Sequence, residues 1–296
     1  MANPHGQSAP PAGEKPPLRL GLIGSGIQAS KAPSLHEAEA AAQGIRCVYQ
    51  LLDLDTLHAG VAQLPDLLAE AEQRGFAGLN ITHPCKQAVI PLLHELSPHA
   101  RAIGAVNTIH FHGGRRTGYN TDAWGFEESF RHDMQGASLA AVVQVGAGGA
   151  GAATAYALLE LGARELWIFD SDPGRAQALA ASLSECFPDR EVGACRGLDE
   201  AIAGADGIVN ATPMGMTKHP GSAVPAGLLR PDLWVADIVY FPRETQLLTA
   251  ARAAGCRTLD GGGMAVYQAV RAFEIFTGRT ADAERMRRHF ERISTG

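Results

Sequence analysis

The stretch Gln144–Asp170, QVGAGGAGAATAYALLELGARELWIFD, decides the fold of this chain. An apolar run from Leu139 to Val145, interrupted only by Gln144, leads into it and predicts a β-strand. Three glycines in G-x-G-x-x-G spacing come next, followed by small residues that favour a helix and by a second apolar run that ends on Asp170. This order of strand, glycine-rich turn, helix and second strand with a terminal acid is typical of a nucleotide-binding βαβ unit.

The glycines of this stretch predict where a nucleotide binds. Gly146 permits the tight turn out of the strand, Gly148 lets a pyrophosphate approach the backbone, and Gly151 lets helix and sheet pack closely. The helix N-terminus offers free N–H groups and the positive end of its dipole to the phosphates. Asp170 lies 19 residues after Gly151, where an acid accepts hydrogen bonds from the adenosine ribose. We therefore expect cofactor contacts from Gly146, Ala147, Gly148, Gly149, Ala150, Gly151 and Asp170.

Length and composition limit the classes of function. The chain has 296 residues, of which 46% are hydrophobic, so one large or two medium domains with real cores are expected. With 25 Lys and Arg against 31 Asp and Glu, the net charge of −6 favours neither nucleic acid nor a membrane surface as a partner. No apolar run approaches the roughly 18 residues of a membrane span. Residues 1–16 are rich in Pro, Gly and Ala and predict a disordered tail, not a signal peptide.

The cysteines indicate a reducing compartment. There are 5, they are scattered, and none stands in C-x-x-C spacing. This pattern argues against a disulfide framework and against a zinc site, so no metal is predicted. We expect a cytoplasmic protein.

Strands and helices alternate along both halves of the chain. Strands are predicted at Leu18–Ile23, Cys47–Leu54 and Gly78–Thr82, helices at Pro33–Gln43, Asp66–Arg74 and Lys86–Leu96, and a hairpin at Val106–Phe111 and Arg116–Tyr119. The second half contains six predicted strands, the number of a full Rossmann sheet, and two amphipathic helices follow at Met264–Thr277 and Ala281–Ile293. The pattern predicts two α/β units with mainly parallel sheets and a cleft between them.

Polar residues cluster where the predicted strands end. The clusters are Ser30-Lys31, Asn80–Lys86, Asn107-Thr108, Asn120-Thr121-Asp122 and Asn210-Ala211-Thr212. Ligands of parallel sheets bind at the carboxyl ends of the strands, and these side chains suit the hydroxyl groups of a polyol.

Gly24-Ser25-Gly26 allows an alternative, a second dinucleotide site. The sixth position of that motif is Ala29, however, and Asp53 and Asp55 follow only after a full helix. A ligand-binding loop at the end of the first strand is the favoured interpretation.

Six stretches, taken together, resemble the shikimate/quinate dehydrogenase family, and most nearly its NAD-dependent quinate/shikimate dehydrogenases. They are Gly78–Leu92, Gly104–Thr108, Asn120–Gly125, Gln144–Leu158, Val209–Met216 and Asp260–Val270, and the resemblance extends over residues 18–290. It implies two α/β domains: a substrate-binding catalytic domain of residues 17–124 and 264–296, to which the C-terminal helices return, and an NAD-binding Rossmann domain of residues 125–263.

The resemblance also implies roles for individual residues. Lys86 corresponds to the catalytic lysine of the family and Asp122 to the aspartate that pairs with it. The implied substrate contacts are Ser30, Thr82, Asn107, Tyr240 and Gln268, and the implied nicotinamide-side contacts are Ile238 and Gly261, with Thr212 also assigned to the cofactor. Each has a structural alternative: Lys86 a solvated helix residue, Asp122 an N-cap, Thr82 and Asn107 turn caps, Tyr240 core, and Gln268 a solvent-facing side chain.

The chain departs from the family pattern at two places that bear on ligands. Ala32 replaces the second hydroxyl of the S-x-S-P or S-x-T-P loop that begins at Ser30. NADP-dependent members carry N-R-T-x-x-R after the second Rossmann strand, whereas Asp170–Arg175 reads DSDPGR and lacks the first arginine. Asp170, Asp172 and Arg175 are therefore assigned to the cofactor site, and NAD is the predicted cofactor.

The implied reaction is hydride transfer between nicotinamide and a ring hydroxyl of quinate or shikimate, with Lys86 moving the hydroxyl proton and Asp122 orienting it. His83 is the alternative base, but its position in the turn before Pro84 favours a structural role. The chief alternative is a non-catalytic NAD- or metabolite-binding regulator on the same scaffold, which would lack the Lys86 and Asp122 pair. A folate-type dehydrogenase would need a pteridine pocket, for which no aromatic or acidic cluster is seen near Lys86. A monomer or a homodimer is expected.

Overall fold

The computed structural model describes residues 16–294 and contains two six-stranded sheets. The predicted disordered tail, residues 1–16, lies outside the described residues except for Pro16. Within residues 16–294, every helix is too short or too polar to cross a membrane.

The first sheet has the order β2-β1-β3-β5-β6-β4. Its strands are β1 (Leu18–Gly24), β2 (Cys47–Asp53), β3 (Phe76–Ile81), β4 (Glu95–Leu96), β5 (Thr108–His112) and β6 (Arg115–Tyr119), and its helices are α1 (Ala32–Ala42), α2 (Leu64–Gln73), α3 (Cys85–Ala88) and α4 (Pro98–Ile103). The sheet is mixed, because β5 runs antiparallel to both β3 and β6. Gly113 and Gly114, with φ values of 56° and 73°, make the tight turn of the predicted hairpin.

The helix predicted over Lys86–Leu96 is wrong. The helix α3 ends at Ala88, a 3₁₀ turn follows at Ile90–Leu92, and β4 begins at Glu95. The cause is Pro91, which has no N–H to continue the helix and whose ring clashes with the carbonyl four residues earlier.

The second sheet is wholly parallel, with the order β12-β11-β10-β7-β8-β9. Its strands are β7 (Ala141–Val145), β8 (Glu165–Phe169), β9 (Glu191–Ala194), β10 (Gly207–Asn210), β11 (Trp234–Asp237) and β12 (Arg257–Leu259), and its helices are α5 (Thr121–Asp133), α6 (Gly149–Glu160), α7 (Pro173–Cys186), α8 (Leu198–Ala203) and α9 (Gln246–Ala253). The six predicted strands are confirmed, whereas α7 was not expected from the sequence.

The last two helices, α10 (Gly262–Thr277) and α11 (Ala283–Ser294), return to the first sheet. Leu35 of α1 shares a buried cluster with Val266 and Phe273 of α10 and with Phe290 of α11. The two-domain α/β architecture with returning C-terminal helices is therefore confirmed. The domain bounds predicted near residues 124 and 263 remain predictions.

One histidine of α1 lies in the apolar interior between α1 and α10. His36 is 0% exposed, and its ring stacks on Tyr49 at 5.1 Å and on Phe273 at 6.2 Å. Among residues 16–294, neither ring nitrogen of His36 has a hydrogen-bond partner. Burial lowers the pKa of His36 from 6.5 to about 3, so the folded protein holds this ring neutral.

This histidine should make the protein less stable in mild acid. Below pH 6.5 the unfolded chain takes up a proton at His36 that the folded chain refuses until the pH approaches 3. Stability is therefore lost as the pH falls through this window. Between about pH 7 and about pH 5.5 the wild type should lose about 1 kcal/mol more unfolding free energy than His36→Leu. Urea denaturation at both pH values measures this, and equal losses in the two proteins would contradict it.

Candidate active site

Lys86 and Asp122 form a largely buried ion pair. Lys86 Nζ lies 2.6 Å from Asp122 Oδ2, and the two side chains are 17% and 10% exposed. Lys86 is carried by α3, directly after β3, and Asp122 by the first turn of α5. The N-cap of α5 is Asn120, whose Oδ1 accepts from Ala123 N at 3.1 Å. The N-cap alternative for Asp122 is therefore wrong, and its carboxylate is available to the lysine.

The pair faces the nucleotide-binding unit. We call residues 146–151 the glycine loop; a Cβ added at Gly149 would lie 3.7 Å from Lys86 Cδ. The alternative of a solvated Lys86 is thus wrong, because its stem packs against the other domain. His83, the rival base, is exposed.

A buried amide network fixes the start of α5. Asn107 is 3% exposed; its Oδ1 accepts from Thr121 N at 2.7 Å, and its Nδ2 donates to Thr121 Oγ1 at 2.9 Å. Asn80 donates from Nδ2 to Thr108 Oγ1 at 3.0 Å and accepts from Tyr49 OH at 2.8 Å. Asn107, predicted to contact substrate, thus also positions the turn that carries Asp122. The sequence placed Asn80 and Thr121 in the polar clusters expected to bind a polyol, but it did not predict that their side chains hydrogen-bond within the protein.

The other predicted substrate residues come from the loops after β1, β3 and β11 and from α10. Thr82 and Ser30 follow the neighbouring parallel strands β3 and β1, and both are half-buried. Tyr240 follows β11 and is 41% exposed, so the core alternative is wrong for this residue. Desolvation of its phenol group, and then the Asp122 carboxylate, raise the pKa of Tyr240. Gln268 is half-buried on α10 and donates from Nε2 to Ala265 O at 3.0 Å.

Asp53 holds the loop that follows β1. Its carboxylate accepts from Gly26 N at 3.0 Å, Ile27 N at 3.1 Å and Gln28 Nε2 at 2.9 Å. Burial acts to raise the pKa of Asp53, but these hydrogen bonds, led by that from Gln28, lower it overall. Asp53, the acid considered for a second dinucleotide site, is thus hydrogen-bonded to the loop after β1. This geometry favours the ligand-loop interpretation.

The glycine loop has the shape that a pyrophosphate requires. Gly146 has a φ of 108°, and a Cβ there would lie 2.7 Å from Ala211 O. A Cβ at Gly151 would lie 2.3 Å from Gly146 O, so only glycine permits this contact between helix and strand. Gly148 is the N-cap of α6, has no side chain to cap it, and faces open space for 4 Å around its missing Cβ. The first N–H groups of α6 are therefore accessible to an anion, and the residues fit a dinucleotide.

Asp170 and Asp172, the two acids after β8, lie at the same edge of the second sheet as the glycine loop. Asp170 Oδ2 accepts from Ala147 N at 2.7 Å and Asp170 Oδ1 from Asp172 N at 2.9 Å. Asp172 is the N-cap of α7, where it accepts from Gly174 N at 2.9 Å. Arg175 Nε lies 3.6 Å from Asp172 Oδ2, with the two side chains 66% and 59% exposed. Two carboxylates and one loosely held arginine thus surround the end of β8.

A second buried network lies at the carboxyl ends of β10 and β11, on the same edge of the second sheet as the glycine loop. Asp237 is 1% exposed and accepts from Asn210 Nδ2 at 2.9 Å and from Thr245 Oγ1 at 2.7 Å. Burial raises its pKa. Asn210 Oδ1 in turn accepts from Thr212 Oγ1 at 2.6 Å. Asp237 was missed in the sequence because it looks like the end of an ordinary buried strand.

Two predicted nicotinamide-side residues touch each other beside this network. A Cβ at Gly261 would lie 2.3 Å from Ile238 O, so the backbones of the loops after β11 and β12 are in close contact. Thr212 lies beside the glycine loop, where its Cγ2 would be 2.9 Å from a Cβ at Gly146. The structure therefore gathers the predicted cofactor residues along one edge of the second sheet.

Two family models match the chain. One is described as the shikimate dehydrogenase substrate binding domain and matches residues 22–109. The other is described as the shikimate 5'-dehydrogenase C-terminal domain and matches residues 261–289.

Close relatives cover almost the whole chain. A shikimate dehydrogenase (NADP(+)) of Streptomyces avermitilis is 55% identical over 269 residues, 90% of this chain and 92% of the relative. A quinate/shikimate dehydrogenase (NAD(+)) of Corynebacterium efficiens is 52% identical over 276 residues, 92% of this chain and 97% of the relative. The solved structure of quinate dehydrogenase from Corynebacterium glutamicum in complex with NAD superposes with a TM-score of 0.86 at 49% identity, over 93% of this chain and 99% of that one.

Proposed function

Because this chain belongs to the shikimate/quinate dehydrogenase family, we propose that it interconverts a ring hydroxyl of quinate or shikimate and the 3-dehydro ketone, with NAD as the cofactor. The chain is a dehydrogenase, an oxidoreductase of a CH–OH group. The observation that carries the proposal is the Lys86 and Asp122 pair at 2.6 Å, with the Lys86 stem in contact with the glycine loop. A non-catalytic regulator is disfavoured, because both members of the pair are present and in contact.

In this proposal the protein moves one proton and holds the ring. Lys86 Nζ hydrogen-bonds the reacting hydroxyl; as a neutral amine it takes the hydroxyl proton on oxidation, and as an ammonium group it returns that proton on reduction. Asp122 fixes the direction of the ammonium group and accepts from a neighbouring ring hydroxyl. The nicotinamide, when bound, supplies the hydride-transfer chemistry.

The remaining residues bind rather than react. Ser30, Thr82, Asn107, Tyr240 and Gln268 come from five different segments and in this proposal supply hydroxyl, phenol and amide groups to the substrate. Their chemistry suits a polyhydroxylated ring, because each can both donate and accept hydrogen bonds. Ser30 Oγ already accepts from Ala32 N at 3.3 Å, so its hydroxyl hydrogen points elsewhere and is available to a carboxylate.

The preference for NAD rests on charge. A 2′-phosphate would lie near Asp170 and Asp172, and like charges in a partly desolvated site repel it. Arg175 supplies one nearby cation, but its side chain is 66% exposed and already faces Asp172. The names of the relatives include both NAD- and NADP-dependent enzymes, so the proposed preference is argued from the residues of this chain. Cytoplasmic location and a monomeric or homodimeric state remain predictions.

Steady-state kinetics with quinate and shikimate, each with NAD and NADP, test the substrate and the cofactor together. We expect kcat/KM with NAD to exceed that with NADP by a factor on the order of 100. Arg175→Ala should weaken the remaining NADP activity and leave NAD activity nearly unchanged. Equal or better use of NADP would contradict the cofactor assignment, and turnover of neither acid would contradict the proposed function.

Lys86→Ala should lower kcat by about 10²–10⁴-fold, because it removes the proton-transfer group. Binding of the dinucleotide, measured by NADH fluorescence, should be nearly unchanged. Asp122→Asn should also lower turnover, with a larger share of the loss in KM. His83→Ala is the matched control from the same turn and should keep nearly wild-type kinetics. A near-normal kcat in Lys86→Ala, with a loss in His83→Ala, would move the proton chemistry to the histidine.

Ala32→Ser should tighten binding of the acid substrate. Ala32 is half-buried at the start of α1, next to Ser30, and lacks the second hydroxyl of the family loop. A hydrogen bond to a charged group contributes about 1.5–3 kcal/mol, of which a substituting water recovers all but roughly 1 kcal/mol. We expect KM for quinate or shikimate to fall about 3–10-fold with kcat nearly unchanged, because the carboxylate does not react. An analogue with the carboxylate reduced to an alcohol is the control, and an unmoved or higher KM for the acid would refute the contact.

A further inference from the structure

A buried amide lies directly beneath the glycine loop. Gln144 is the penultimate residue of the apolar strand β7 and is 0% exposed. Its Nε2 donates to Gly146 O at 2.9 Å and to Gly151 O at 2.8 Å. Its Oε1 accepts from Thr154 Oγ1 at 2.8 Å. Both amide hydrogens and the amide oxygen are thus satisfied by the glycine loop and the helix α6.

The two carbonyls bound by Gln144 lie at the two ends of the loop. Gly146 is the first loop residue after β7, and Gly151 belongs to the first turn of α6. One side chain therefore ties the strand to the helix across the segment that is expected to contact phosphate. Gly146 O is also the atom that a Cβ at Gly151 would approach to 2.3 Å, so it has little room to move on that side.

Planarity extends this restraint to the acid at the end of β8. The peptide unit between Gly146 and Ala147 is planar, so fixing its carbonyl fixes the direction of its N–H. That N–H is the donor to Asp170 Oδ2 at 2.7 Å. The same peptide is thus held at its oxygen by Gln144 and at its nitrogen by Asp170.

We propose that Gln144 is a positioning residue for the dinucleotide. It sets the glycine loop for the pyrophosphate and, through the Gly146–Ala147 peptide, the Asp170 carboxylate for the ribose. An apolar residue would satisfy the packing of β7 without a buried amide, so the amide serves the loop. The inference rests on the proposed role of the loop in cofactor binding. Gln144 itself acts through the backbone, since its amide is fully engaged beneath the loop.

A purely structural role makes a different prediction, and a matched variant separates the two. Val143 precedes Gln144 in β7, is also 0% exposed, and packs in the cluster with Ile202, Ile208 and Leu247. Val143→Ala should lower the melting temperature without touching the loop. Gln144→Leu should lower the melting temperature and should also weaken the binding of the cofactor.

The test is NADH titration by fluorescence together with thermal melting and steady-state kinetics. For Gln144→Leu we expect the Kd for NADH and the KM for NAD to rise by about tenfold. The KM for shikimate or quinate and the kcat at saturating NAD should stay within about twofold of wild type, since Lys86 and Asp122 are unchanged. Thr154→Val leaves both Nε2 donations in place and should raise the Kd only about threefold. Val143→Ala should leave the Kd unchanged.

A Kd in Gln144→Leu that matches wild type, or that matches Val143→Ala, would overturn the positioning role. If Gln144→Leu does not fold, Thr154→Val decides alone, and an unchanged Kd overturns the inference. Wild-type protein that binds neither NADH nor NADPH would overturn the cofactor role of the loop and the positioning role with it. Binding by the wild type with no change in the variants overturns the positioning role only.

Discussion

The ion pair between Lys86 and Asp122 requires the surrounding structure to hold both partners in place. Its two members are 36 residues apart and come from a helix of four residues and from the first turn of a long one. Short helices and first turns fray readily in isolation, so their positions must be imposed by neighbours. The stem of Lys86 is confined by the glycine loop of the other domain. The backbone before Asp122 is confined by the amide of Asn107, which is itself buried against β3.

Buried amides and carboxylates recur wherever a strand meets a loop of the cleft. Asp53 binds the loop after β1, Asn107 the start of α5, Gln144 the glycine loop, and Asp237 the ends of β10 and β11. Each of these side chains is at most 3% exposed and is engaged with backbone or hydroxyl partners. A buried polar group without partners is costly, so such side chains permit few alternative loop arrangements. The loops that are expected to hold ligands are thereby held by hydrogen bonds, in contrast to the apolar packing that holds the strands.

The sequence predicted the repeating features well because they depend on local periodicity. Both α/β units, the six strands of the second sheet and the hairpin glycines follow from alternation and turn residues. The helix over Lys86–Leu96 was wrong because apolar periodicity outweighed Pro91. The helix α7 was missed although Asp172 and Pro173 form an ordinary start signal. At the site, Lys86 and Asp122 were brought together as the family resemblance implied, whereas Asp53 and Asp237 have partners that only the tertiary fold reveals.

The return of α10 and α11 to the first sheet sets the order in which a growing chain can fold. Leu35 and Ala40 are buried against Val266, Phe273 and Phe290, which lie more than 200 residues later in the sequence. During synthesis, one face of α1 therefore stays uncovered until the whole second sheet and then α10 and α11 have been translated. The second sheet, whose strands lie within residues 141–259, can close its own core first. The domain translated first is thus the one completed last, and during that interval it depends on its surroundings to shield an apolar surface.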